Sequence, residues 1–93
     1  MKKRVAVTGI GVVSPLGSDC TTLWEHLIQG ISGIGTIEEL SGLPVTFGGR
    51  ARTFDPARHL GSKEIRRMDR YTQFAVTCGL DAVAQAGLSP ETY

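Results

Sequence analysis

The stretch that most limits how this chain can fold is DRYTQFAVTCGLDAVAQAG, from Asp69 to Gly87. No proline interrupts it, and its apolar residues recur at helical spacing, which predicts one helix over the whole segment. Tyr71, Phe74, Ala75, Cys78, Ala82 and Ala86 occupy one face, and Val76, Leu80, Val83 and Ala84 much of another. Its polar side chains concentrate on a strip, Gln73, Thr77, Asp81 and Gln85, spaced by four. A helix apolar around most of its circumference is built to be covered. The small residues Ala75, Gly79, Ala82 and Ala86 suit close approach by other backbones.

Ninety-three residues offer little material for that cover. A chain of this length buries only roughly 60 to 65% of its unfolded surface, and three Phe, two Tyr and one Trp make a thin core. The expectation is therefore that residues 1–93 are an incomplete portion of a larger domain. With 41% hydrophobic and 20% charged residues and a net charge of +1, the composition is that of a folded protein. It carries no global basic signal for nucleic acid. Met1-Lys2-Lys3-Arg4 and the apolar residues behind it imitate a signal peptide, but Thr8 and the lack of an A-x-A-like site argue against one. No apolar run approaches the roughly 18 residues of a membrane span. The expected location is cytoplasmic, with no membrane and no nucleic-acid partner.

The first segment, RVAVTG from Arg4 to Gly9, predicts a strand. Its continuous Val-Ala-Val run suits a sheet covered on both faces. Gly9 to Gly17 reads as a loop. Asp19, Thr21 and Thr22 offer N-cap oxygens for the next helix, and Thr22 with Glu25 has capping-box spacing. Leu23, Trp24, Leu27, Ile28 and Ile31 form its apolar stripe, and Gly30 closes it. Residues 30–44 read as a loop, and Val45 to Phe54 as a strand with a glycine bulge at Gly48-Gly49. Asp55-Pro56 starts a short helix, and Ser62 or Lys63 starts another.

Four readings of function compete on these residues. Gly9 and Gly11 follow a β-branched run, as in a dinucleotide-binding loop, but Ser14 and Pro15 stand where the third glycine belongs and the helix begins late. A glycine turn is the better account, and a nucleotide-binding βα unit the poorer one. Cys20, Cys78, His26 and His59 have no paired short spacing of the kind zinc sites use, so no metal is expected. Cys20 precedes a helix, which favours a thiolate, yet His26 lies across that helix from it, and Cys78 reads as a small hydrophobe. The strongest signal is charge. Arg50, Arg52, Arg58, Lys63, Arg66, Arg67 and Arg70 face only Asp55, Glu64 and Asp69 over the same span. Lys63, Arg66, Arg67 and Arg70 fall at i, i+3, i+4 and i+7, one face of a continuous helix. Such a face is either merely solvated or a patch for an acidic partner.

The segments VAVTGIGVVSPLG, TTLWEHLIQGISGI, KEIRRMDRYTQFA and AVAQAGL occur in that order. Together they resemble the N-terminus of the β-ketoacyl-acyl-carrier-protein synthases, above all the bacterial chain-elongating type of fatty acid synthesis. Polyketide ketosynthases share much of this pattern. The resemblance implies an α/β chain, the N-terminal part of a thiolase-like αβαβα fold, in an enzyme that works as a homodimer and needs no cofactor. It also implies a decarboxylative Claisen condensation that joins an acyl thioester to malonyl-acyl-carrier protein. One cysteine takes the acyl chain, and two histidines help form and stabilise the carbanion.

In the family those three residues lie well past position 93. Cys20, Cys78, His26 and His59 do not match them, so no catalytic residue carries over and the segment alone is expected to be inactive. Docking does carry over: Lys63, Arg66 and Arg67 match the basic positions by which the family binds the acidic acyl carrier protein. A non-catalytic module that only docks the carrier protein is the alternative of a different class.

Overall fold

The computed structural model describes residues 2–91. The chain divides into two compact units, one built from Val12–Asp55 and the other from the chain up to Gly11 and from Pro56 onward.

In the Val12–Asp55 unit, Ser14 organises the first turn. Its Oγ donates to the Gly17 carbonyl at 2.8 Å and accepts from the amides of Leu16 and Gly17, both at 3.2 Å. Helix α1 spans Cys20–Ile28. Its cap is Asp19, whose Oδ1 accepts from the Thr22 amide at 2.8 Å and whose Oδ2 accepts from the Thr22 hydroxyl at 2.9 Å. Such a cap is worth about 1 kcal/mol. It also corrects the expected Thr22–Glu25 capping box, because the helix starts at Cys20 and Thr22 lies inside its first turn. The helix closes as expected on Gly30, at φ +69. The Gly30 amide donates to Leu27 and the Ile31 amide to His26, the paired bonds of a left-handed C-terminal cap.

The strand expected over Val45–Phe54 is only Phe47–Gly49 (β2), and it pairs antiparallel with Ile34–Thr36 (β1), inside the segment read as a loop. Gly48 and Gly49 are ladder residues opposite Gly35 and Ile34, not a bulge. Their lack of side chains answers to space: a Cβ on Gly49 would stand 2.9 Å from the ring of Pro15.

In the other unit, α2 spans Ser62–Arg67 and α3 spans Arg70–Ala86. A single 3₁₀ turn, Pro56–Arg58, marks the predicted short helix after Asp55. Helix α3 fills the segment predicted for it, with Asp69 at its N-cap and Gly87, at φ +73, behind its last turn. Residues 4–9 form no strand. A strand exists only as half of a pair, and among the described residues the one ladder is β1 with β2. Val5 and Val7 are consequently 94% and 80% exposed.

Gly9 and Gly11 pass directly over α3. A Cβ on Gly9 would run into the Ala82 carbonyl oxygen, and one on Gly11 into that of Cys78. The glycines of the opening segment are there for backbone contact; neither takes the positive φ that a glycine turn would call for.

Helix α3 is turned opposite to what its pattern suggests. The polar strip faces the chain's own structure: Gln73 is 6% exposed and Thr77 fully buried. Asp81 meets Arg58 and His59, and Gln85 Oε1 accepts from the Ile10 amide at 2.6 Å. Tyr71, Ala75, Gly79, Leu80 and Ala84 face outward. Neither cysteine is fully buried. The segment Ser89–Tyr93 reads as the beginning of a further helix, and its Thr92 and Tyr93 lie outside the described residues. No helix among the described residues is long and apolar enough to cross a membrane.

Candidate functional site

The basic residues sort themselves by their partners. In the Val12–Asp55 unit, Arg50 Nη1 donates to both carboxylate oxygens of Glu39, at 2.9 and 2.8 Å. That contact holds the Glu39 carboxyl below the ordinary range. Arg52 Nη2 donates to the Thr36 carbonyl at 3.0 Å. In the other unit, Arg58 grips Asp81 through Nη1 and Nη2, at 3.0 and 2.6 Å, and the Arg70 guanidinium lies 5.3 Å from the centre of the Phe74 ring.

Lys63, Arg66 and Arg67 differ from these four. All three are exposed on α2, and the ion pairs among the described residues involve Arg50, Arg58 and His59 instead. Glu64, the acidic residue of the same helix, is otherwise engaged: its Oε1 accepts from the Gly61 amide at 3.2 Å. Three cations at i, i+3 and i+4 thus stand exposed on one short helix, and none is in an ion pair among the described residues.

Arg70 corrects the four-residue face. Met68 is extended (φ −101, ψ 137) and Asp69 is the N-cap of α3, so α2 stops at Arg67 and Arg70 belongs to the next helix. Asp69 is a poor residue for helix interiors and a good one for caps, which is the local reason the chain breaks there. The side chain that binds the two helices was not singled out by sequence reasoning. Gln73 Nε2 donates to the carbonyls of Ile65 and Met68, each at 3.2 Å. Its place on the four-spaced polar strip was the available signal.

The candidate nucleophiles and ligands stay apart in their roles. His26 Nδ1 donates to the Leu16 carbonyl, which fixes its hydrogen on Nδ1. His59 Nε2 sits 2.6 Å from Asp81 Oδ1. Among the described residues no three His, Cys, Asp or Glu side chains converge as metal ligands would. Burial raises the Asp81 pKa, but hydrogen bonds and charge from Arg58 and His59 outweigh it, and the carboxyl is held below its ordinary value.

Residues 2–93 match the family model of the β-ketoacyl synthase N-terminal domain. The chain belongs to the β-ketoacyl synthase family. It is 41% identical over 88 residues to the 3-oxoacyl-[acyl-carrier-protein] synthase 2 of Staphylococcus aureus (strain COL), covering 92% of this chain and 21% of that protein. It is 40% identical over 89 residues to the enzyme of the same name from Synechocystis sp., covering 94% and 21% respectively. This β-ketoacyl synthase segment therefore spans about a fifth of the length of the relatives it matches. The resemblance carried by its sequence motifs is thereby shown at the level of the family.

Proposed function

We propose that this chain is the N-terminal portion of a condensing enzyme of fatty acid synthesis with the thiolase-like αβαβα fold, and that α2 is where its acyl carrier protein docks. The whole enzyme joins an acyl group, held as a thioester on a cysteine, to malonyl-acyl-carrier protein. Carbon dioxide leaves the malonyl group, the carbanion attacks the acyl carbonyl, and the cysteine departs as thiolate. Residues 1–93 form part of one domain of a cytoplasmic homodimer and contribute no catalytic side chain. Their work is recognition.

The observation that carries this reading is the sorting of the basic residues. Arg50, Arg52, Arg58 and Arg70 have partners within the chain, whereas Lys63, Arg66 and Arg67 keep their charge outward on one helix. An acidic protein surface is the partner such a triplet complements, and exposed complementary charge acts mainly on association rate. The names of both relatives contain the acyl carrier protein, which supports that partner.

A salt titration of carrier affinity in the complete enzyme tests the reading. The screening length falls from about 10 Å at 0.1 M salt to about 3 Å at 1 M. Docking through three exposed cations predicts affinity falling steeply over that range, through the association rate. An affinity independent of salt would count against it.

A further inference from the structure

We infer that Gln73 is a positioning residue for the basic helix, setting where Lys63, Arg66 and Arg67 stand without touching the carrier protein itself; this rests on the docking reading of α2. Helix α2 has six residues, well under the length at which a helix holds itself in water. Its geometry is therefore imposed by its surroundings, and what grips its two ends is part of that. At the first end Glu64 accepts from the Gly61 amide. At the other, the carbonyls of Ile65 and Met68 have left the helical ladder, because Met68 and Asp69 turn extended. Gln73 Nε2 satisfies both of them at 3.2 Å.

The chemistry of this contact is specific to an amide. A carboxamide nitrogen carries two hydrogens, and both are spent on the two carbonyls. Turning the amide over would set Oε1 against two carbonyl oxygens, so its orientation is fixed. Oε1 is itself buried without a hydrogen-bond partner. An apolar side chain would remove that unsatisfied acceptor and serve α3 at least as well. What the amide adds falls on α2, in the turn that carries Arg66 and Arg67. Helix α3, with 17 residues, is long enough to hold its shape without the contact.

The test uses the complete enzyme with Gln73→Met, which keeps the side chain's length and removes its donors. Three quantities are read: KM for the acyl-carrier-protein substrate, turnover of a small acyl-pantetheine thioester that reacts without the carrier, and amide hydrogen exchange across residues 62–86. The expected result is a rise in carrier KM of about fivefold, the scale of one net hydrogen bond, with small-thioester turnover unchanged. Exchange should quicken at Arg66–Met68 and stay as it was in α3. Gln73→Asn keeps the donors but shortens their reach, and gives a smaller rise in the same direction should Gln73→Met fail to fold.

Equal loss of carrier-dependent and small-thioester turnover in both variants would make Gln73 a purely structural residue and overturn the inference. The comparator K63E/R66E/R67E separates the two readings. If it raises carrier KM while the Gln73 variants do not, positioning falls and docking stands. If it leaves carrier KM unchanged, docking falls and the inference falls with it.

Discussion

Arg58 holds Asp81 with both arms of its guanidinium, and His59 meets the same carboxylate from its Nε2. One carboxylate on α3 thereby fixes the turn that leads into α2. The Asp81 carboxyl is held below its ordinary pKa, so its contribution is present above the unfolded value of about 3.9 and is lost as pH falls through the folded one. Asp81→Asn should cost about 1 kcal/mol at neutral pH, a figure discounted for the partial exposure of Arg58. Denaturant midpoints at pH 7 and pH 3 check this. The difference between the two proteins should be smaller at the second than at the first, because it shrinks once pH falls below the unfolded value, and an equal difference at both would contradict it.

Gly9 and Gly11 make a second prediction. An added Cβ at either meets a backbone carbonyl of α3, which a rotamer change cannot move. Gly9→Ala and Gly11→Ala should each destabilise by about 1–3 kcal/mol, the usual cost of overpacking. Gly35→Ala is the control, since its nearest neighbour would be Arg52 Nη2 at 3.9 Å. Thermal melts of the three variants decide the matter, and a tolerated Gly9→Ala would remove the close backbone approach.

The third concerns the chain by itself. Trp24, Leu27, Ile28 and Ile31 form one stripe on and just beyond α1 and are 63%, 51%, 64% and 44% exposed. Apolar side chains buried among the described residues amount to Phe54 and Leu60. Residues 1–93 expressed alone should self-associate or bind a hydrophobic dye, because uncovered apolar stripes of this kind are contact surfaces. A soluble monomer with a sharp two-state melt would contradict that expectation.

The parts of this structure legible in the sequence are those whose stabilisation is local. Helix α3 follows from spacing, and the end of α1 at Gly30 follows from the need for positive φ after a last turn. What escaped depends on contacts made elsewhere. Arg4–Gly9 has the composition of a strand, but pairing needs a neighbour. Conversely, Ile34–Thr36 and Phe47–Gly49 pair despite a glycine-rich pattern, and Gly49 leaves the space that the Pro15 ring takes. The orientation of α3 depends on distant contacts too: of the four polar residues spaced by four, Gln73, Asp81 and Gln85 bond to Ile65, Met68, Arg58, His59 and Ile10, and Thr77 is buried. Within the site, the Lys63, Arg66 and Arg67 triplet was legible, and the break before Arg70 was not, since it turns on one extended residue, Met68.

The central claim is that Lys63, Arg66 and Arg67 dock an acidic carrier protein, and a charge swap tests it most directly. In the complete enzyme, K63E/R66E/R67E should weaken carrier binding at low salt by tenfold or more, on the order of 0.5 to 1 kcal/mol for each exposed pair lost. A carrier protein whose facing acidic residues are changed to Lys should bind that variant better than the original carrier does. Recovery of affinity in the doubly reversed pair is the predicted result. Unchanged binding by K63E/R66E/R67E at low salt, or a loss that the reversed carrier does not restore, would contradict the account.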